Sequence, residues 1–163
     1  MSYPPQRFTA SIGEASATLR PQGHPPELTN PRGGAVHYLA TSATTSGEFG
    51  LYRWEMGPAP SGPDPHFHRT ISESFYVLHG TVQLYDGLRW TAAVPGDFLF
   101  VPPGGIHAFR NASGESAAML LLFAPGAPRE QYFEELVDIA TSGRQLSEQE
   151  WTDLYARHDQ YMV

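Results

Sequence analysis

The sequence predicts an all-β body of antiparallel strands with two helices behind it, and three observations lead there. Between residues 35 and 125 six short runs rich in β-branched and aromatic residues follow one another: AVHYLAT, EFGLYRWEM, ESFYVLHGTVQLYDG, DFLFVP, IHAFRN and AAMLLLFAP. Gly, Pro, Ser and Asp separate them, and no helical period intervenes. Closely spaced strands without helices between them argue for a sandwich or barrel and against a parallel sheet. After Pro125 the apolar spacing changes to that of helices.

Taken in order, residues 1–34 carry YPP, HPPE and NPRGG around one plausible strand, SATLRP at residues 16–21. Proline at this density reads as an extended N-terminal arm with turns, lying across the body. Residues 35–125 are the β body. In residues 126–163, REQYFEELVDIA sets Tyr132, Phe133, Leu136, Val137 and Ile139 at helical spacing, and Gly143 is placed to stop the helix. SEQEWTDLYARHD follows with Ser147 and Glu150 in capping-box spacing and with Trp151, Leu154 and Tyr155 on one face. The pair reads as a lid or outer brace, with Tyr132 and Phe133 docking the first helix.

Composition narrows the function. The 163 residues suit one domain with a core of its own. A formal charge of −7, from 10 Lys and Arg against 17 Asp and Glu, disfavours nucleic acid and anionic membranes. A small molecule is the expected partner. Without cysteine, disulfides, thiolate catalysis and Cys-ligated zinc are excluded. No stretch approaches the roughly 20 apolar residues of a membrane span, and MSYPPQRF has no basic segment followed by an apolar run, so a cytoplasmic protein is expected.

The chemistry concentrates in PDPHFHRTISESFYVLHG. In a strand, residues i and i+2 point the same way, so His66 and His68 share a face and Phe67 takes the other. Glu73 follows a turn at RTIS and opens the next strand, where its carboxylate can meet both imidazoles. A second segment, GDFLFVPPGGIHAFRN, starts a strand at His107 just after the PPGG turn.

Together the two segments resemble the cupin superfamily. Its first motif is matched by His66, His68, Glu73 and Gly80, and its second at every position by Gly96, Pro102, Gly104, His107 and Asn111. One position departs: Pro60 stands where the family usually has Gly, with Gly57 and Gly62 nearby. The resemblance spans roughly residues 47–124, and a single motif pair marks a monocupin. It implies an antiparallel jelly-roll barrel (a double-stranded β-helix) in which His66, His68, Glu73 and His107 hold one divalent metal. Three imidazoles and a carboxylate independently suit Fe, Mn, Ni, Co or Zn better than Mg or Ca. Four protein ligands leave positions for water, dioxygen or substrate, as a catalytic site requires.

Strand parity suggests the cavity walls. If Glu73 points inward, Phe75 and Val77 do too, and His107 brings Phe109. In EFGLYRWEM an inward Arg53 or Glu55 would be costly, so Tyr52, Trp54 and Met56 form the inner face. A substrate pocket of Tyr52, Trp54, Phe75, Val77 and Phe109 is expected above the metal, taking an aromatic or apolar small molecule. His37 is a candidate substrate contact. His24 and His158 are expected in solvent, and Arg53 and Arg110 on the surface or in ion pairs.

The resemblance implies an enzyme, a quercetinase-like dioxygenase for an aromatic or enolic substrate, with Glu73 both ligand and catalytic base. The alternatives are a cupin-type polyketide cyclase or isomerase and a non-catalytic binding cupin. Exposed sheet edges and the outward residues of AAMLLLF point to a homodimer.

Overall fold

The computed structural model describes residues 2–163. Its first sheet runs in the order β1 (Leu28–Thr29), β2 (Ala35–Ala40), β3 (Gly50–Met56), β10 (Ala117–Ala124), β5 (Ser72–His79), β8 (Phe98–Val101), every neighbour antiparallel. The second sheet has β7 (Trp90–Ala93), β6 (Val82–Tyr85) and β9 (Ala108–Arg110). Bridges between His66 and His107 and between Ser61 and Asn111 carry it on to β4 (His66–Phe67), which β11 (Tyr161–Met162) borders. From β3 to β10 the chain passes repeatedly from one sheet to the other, the winding of a jelly roll.

Alternation decides which residues fill the space between the sheets. Along β3, Tyr52 and Met56 are buried and Trp54 is partly so, whereas Arg53 is exposed and pairs with Glu55 at 2.8 Å. Along β10, Met119, Leu121 and Phe123 are buried and Leu120 and Leu122 face outward. The outward side of β5 and β8 also exposes Tyr76, Phe98 and Phe100, the kind of apolar face on which the homodimer expectation rests.

Two glycines are required by close approach. Gly80 turns β5 into β6 at φ +70°, and a Cβ there would lie 2.4 Å from the Ser116 carbonyl oxygen. Gly62, at φ +141°, lies so close to β9 that a Cβ would meet the Phe109 carbonyl oxygen at 2.0 Å. It lies two residues beyond Pro60, where the motif departs from the family pattern, and next to the Ser61–Asn111 bridge.

The helices are α1 (Arg129–Ser142), stopped by Gly143 in the left-handed conformation, and α2 (Glu148–Arg157), opened by a capping box of Ser147 and Glu150. Tyr132 and Phe133 are both buried, Phe133 against the β body and Tyr132 between α1 and the rings of Tyr155 and His158. Phe133 meets Tyr52 edge-on at 5.2 Å and Trp54 at 5.1 Å. The helix pair therefore covers one end of the space between the sheets.

Several local expectations differ from the structure. Residues 16–21 form no strand: Leu19 is exposed, and no neighbouring strand receives the segment's hydrogen bonds. The N-terminal segment instead joins the sheet at β1, where Leu28 pairs with Val36. His158 is not in solvent but packs 5.2 Å from the Tyr132 ring, with its Nε2 3.0 Å from Glu135. His37 faces Glu55 at 3.4 Å on the side of β2 opposite Val36, away from the cavity.

Candidate metal centre

His66, His68, Glu73 and His107 are all buried, and their ligand atoms lie within 4.8 Å of one another. The antiparallel bridge between His66 and His107, with N–H···O distances of 3.0 and 2.9 Å, sets two of the imidazoles side by side. β5 brings Glu73 against them from the facing sheet.

Each imidazole is held through its far nitrogen. The Nδ1–H of His66 donates to the Asp64 carbonyl at 2.8 Å, that of His107 to Gly105 at 2.9 Å and that of His68 to Asp159 at 2.6 Å. A carbonyl only accepts, so Nδ1 carries the proton and Nε2 presents its lone pair to the cluster. The Nε2 atoms of His68 and His107 lie 3.0 and 2.9 Å from the same Glu73 oxygen. Three imidazole nitrogens and a carboxylate, all prepared as acceptors, fit a divalent transition metal.

The electrostatics agree. Burial alone would raise the Glu73 carboxyl, but His107 and His68, which donate to it through Nε2 when they carry a second proton in place of a metal, outweigh burial and hold the group well below the usual carboxylate range. Burial, followed by the neighbouring His107, depresses His66 to about 4. Burial opposes charge on His107 as well, yet contact with Glu73 moves it upward.

The C-terminal segment braces this cluster. Asp159 offers its carbonyl to His68, while its carboxylate accepts from the backbone N–H groups of Arg69 at 3.0 Å and Thr70 at 2.8 Å and from the Thr70 hydroxyl at 2.6 Å. Beyond it, Tyr161 stacks on Phe67 at 5.3 Å, and the Arg69 guanidinium lies over the Tyr161 ring at 4.2 Å. Asn111, the last residue of the second motif, has no ligand role. Its side-chain amide donates to the carbonyls of Gly57 and Glu115 at 2.8 and 2.7 Å and fixes the turn beyond β9.

A cavity of about 530 Å³ has His66 and Glu73 in its wall. Val36, Trp54, Met56 and Phe109 contribute apolar surface from the sheets, and Phe133, Leu136, Trp151 and Tyr155 from the helices. Trp54 and Phe109 thus stand where the sequence places them. Tyr52, Phe75 and Val77 do not line the cavity: all three point inward, but each is fully buried. Phe133 covers Tyr52, whose hydroxyl donates to Glu130, and Phe75 packs behind the cluster, 5.8 Å from both His107 and Phe109. Parity fixes the facing of a side chain; the position of α1 decides which inward residues stay uncovered. Arg53 is exposed and Arg110 lies over the Trp90 ring at 4.1 Å, both outside the site. Sequence reasoning missed Arg129 and Gln160, which are buried and line the same cavity.

Residues 52–123 match the family described as Cupin domain, and this part of the chain is a cupin domain. The chain is similar, at 31% identity over 107 residues, to quercetin 2,3-dioxygenase of Bacillus subtilis (strain 168), a match covering 65% of this chain and 31% of that protein. It is 36% identical over 61 residues to an uncharacterized protein of Aquifex aeolicus (strain VF5), covering 37% of this chain and 50% of the other. The matches thus span half or less of the length of these relatives. Among solved structures, a predicted oxalate decarboxylase from Thermotoga maritima shares the fold, with a TM-score of 0.57 at 22% identity over 67% of this chain and 99% of that one. No helix among the described residues is long and apolar enough to cross a membrane.

Proposed function

We propose that the chain is a metal-dependent cupin enzyme, a dioxygenase acting on a small aromatic or enolic substrate. One observation carries this reading: a buried cluster of three histidines and a glutamate borders an apolar cavity of about 530 Å³. That volume falls within the roughly 300–1,000 Å³ of small-molecule sites. His66, His68, Glu73 and His107 would hold the metal, which when bound supplies Lewis-acid stabilisation of a substrate oxyanion. Glu73 is positioned to accept the proton of an acidic substrate hydroxyl. Trp54 and Phe109 orient a flat ring and keep water out. The similarity to quercetin 2,3-dioxygenase supports the oxygen-using form of this chemistry.

The test is an oxygen electrode. Metal-reconstituted protein is mixed with quercetin and with simpler enolic phenols, and oxygen uptake is compared with substrate loss. Equimolar consumption is expected. Substrate conversion without oxygen uptake would replace the reading with a cyclase or isomerase, and binding without conversion would leave a binding protein.

A further inference from the structure

We propose that Arg129 anchors an anionic group of the ligand, so that the cavity takes a small aromatic carboxylate or enolate gripped between the guanidinium and the histidine–glutamate cluster. The proposal rests on reading that cluster as a metal site.

Arg129 is the first residue of α1, 4% exposed, and lines the same cavity as His66 and Glu73. Its hydrogen bonds do not account for its charge. Nη1 donates to the His158 carbonyl at 2.7 Å, Nη2 reaches Gln160 Oε1 at 3.4 Å, and Nε has no partner. Among the described residues no carboxylate lies within ion-pairing distance of it. Of the carboxylates in the same cavity wall, Glu73 contacts His68 and His107 and Glu55 pairs with Arg53 instead. A buried cation without a counter-ion is costly.

Its place in the helix adds to that cost. The first turn of a helix is its positive end, where acidic residues are favoured and an arginine is not. The rings of Tyr132, Phe123 and Phe133, at 4.5, 5.1 and 5.6 Å, hold the guanidinium but do not neutralise it. A residue that breaks local rules without a compensating gain in the fold points to a site.

A ligand oxyanion supplies what is missing. Two of the five N–H donors of a guanidinium are engaged here, which leaves three for the oxygens of a carboxylate. With a divalent cation in the cluster, its two positive charges and Arg129 face one buried carboxylate, Glu73, while Glu55, also in the lining, is paired with Arg53 at 2.8 Å, so the cavity attracts anions. The apolar walls take the ring that carries the anionic group.

The experiment is calorimetric titration of metal-loaded protein with benzoate and with the neutral isostere benzamide, on wild type, Arg129→Gln and Arg129→Lys, with metal content recorded for each. Wild type should prefer benzoate. Arg129→Gln should lower benzoate affinity about ten- to hundredfold, the loss expected on removing a charge-assisted hydrogen-bonded pair. Its benzamide affinity and metal content should stay unchanged. Arg129→Lys keeps the charge without the fork and should lose several-fold; it carries the test if the glutamine variant does not fold. Equal binding of benzoate and benzamide by wild type, or wild-type benzoate affinity in a folded variant, would overturn the proposal. Absence of oxygen uptake would overturn the dioxygenase reading alone, because the titration reads binding and not turnover.

Discussion

Replacing Asp159 should loosen the metal without touching a ligand. Its carboxylate accepts from Arg69 N–H, Thr70 N–H and the Thr70 hydroxyl, and its carbonyl accepts the Nδ1 proton that keeps His68 in its ligating tautomer. Asp159→Ala removes three acceptor contacts whose donors can turn to water, at about 1 kcal/mol each, roughly 3 kcal/mol in all. The residue sits at φ +55°, where alanine adds about 1–2 kcal/mol of left-handed strain. Asp159→Asn keeps one side-chain oxygen and tolerates that conformation better, so it should lose about half as much. Once the segment loosens, the His68 ring loses its fixed orientation, and metal affinity should fall about ten- to hundredfold, as when a partner behind a ligand is removed. Competition with a chromophoric chelator measures the affinity, and denaturant unfolding of chelated protein measures the stability. Wild-type metal affinity in an Asp159→Ala protein that is destabilised by several kcal/mol would refute the link between this contact and the site.

Three further outcomes follow from the geometry. Glu73→Gln should keep much of the metal through its amide oxygen yet lose about 10²- to 10⁴-fold in turnover, the range for a lost general base; full activity with full metal would exclude the base role. Trp54→Ala and Phe109→Ala should weaken ligand binding, whereas Phe75→Ala should cost about 3–5 kcal/mol of stability and leave affinity unchanged, as titration paired with denaturant unfolding would show. In chelated protein, His66 is depressed from its ordinary 6.5 to about 4, so between those values the unfolded chain binds a proton that the folded chain does not. Stability should therefore fall as pH drops through this window, by about 2 kcal/mol at pH 5. His107, shifted upward, gains stability as pH falls through its ordinary value and partly offsets this loss, whereas Glu73, shifted downward, begins to lose stability as pH nears its ordinary value of 4.5, in the same sense as His66. The His66 share is the difference between wild type and His66→Gln across this window, and a pH dependence identical in the two would contradict the assignment.

The parts of the fold legible in the sequence are those set by local period. Arg53 and Glu55 alternate with Tyr52, Trp54 and Met56, and this alone orients β3. The four ligands were legible because His66, His68 and Glu73 fall within eight residues running from β4 into the start of β5, and His107 follows a marked turn. What escaped depends on contacts distant in sequence. β7 is built from WTAA, whose small residues give little apolar signal, and β11 exists only through its pairing with β4. The division of inward residues between core and cavity depends on where Phe133 lands. Arg129 had one local sign, a cation directly after Pro128 at the start of a helix, where the helix dipole disfavours it. Asp159 had none, since its partners Arg69 and Thr70 lie about 90 residues away.

The central claim is that His66, His68, Glu73 and His107 together bind one divalent transition metal. Elemental analysis of wild type, His66→Ala and His107→Ala, each reconstituted with the same metal and desalted, addresses it most directly. Wild type should hold up to one metal per chain, and both variants should lose most of it while retaining their β-rich circular dichroism. Wild-type metal content in either folded variant would contradict the four-ligand site.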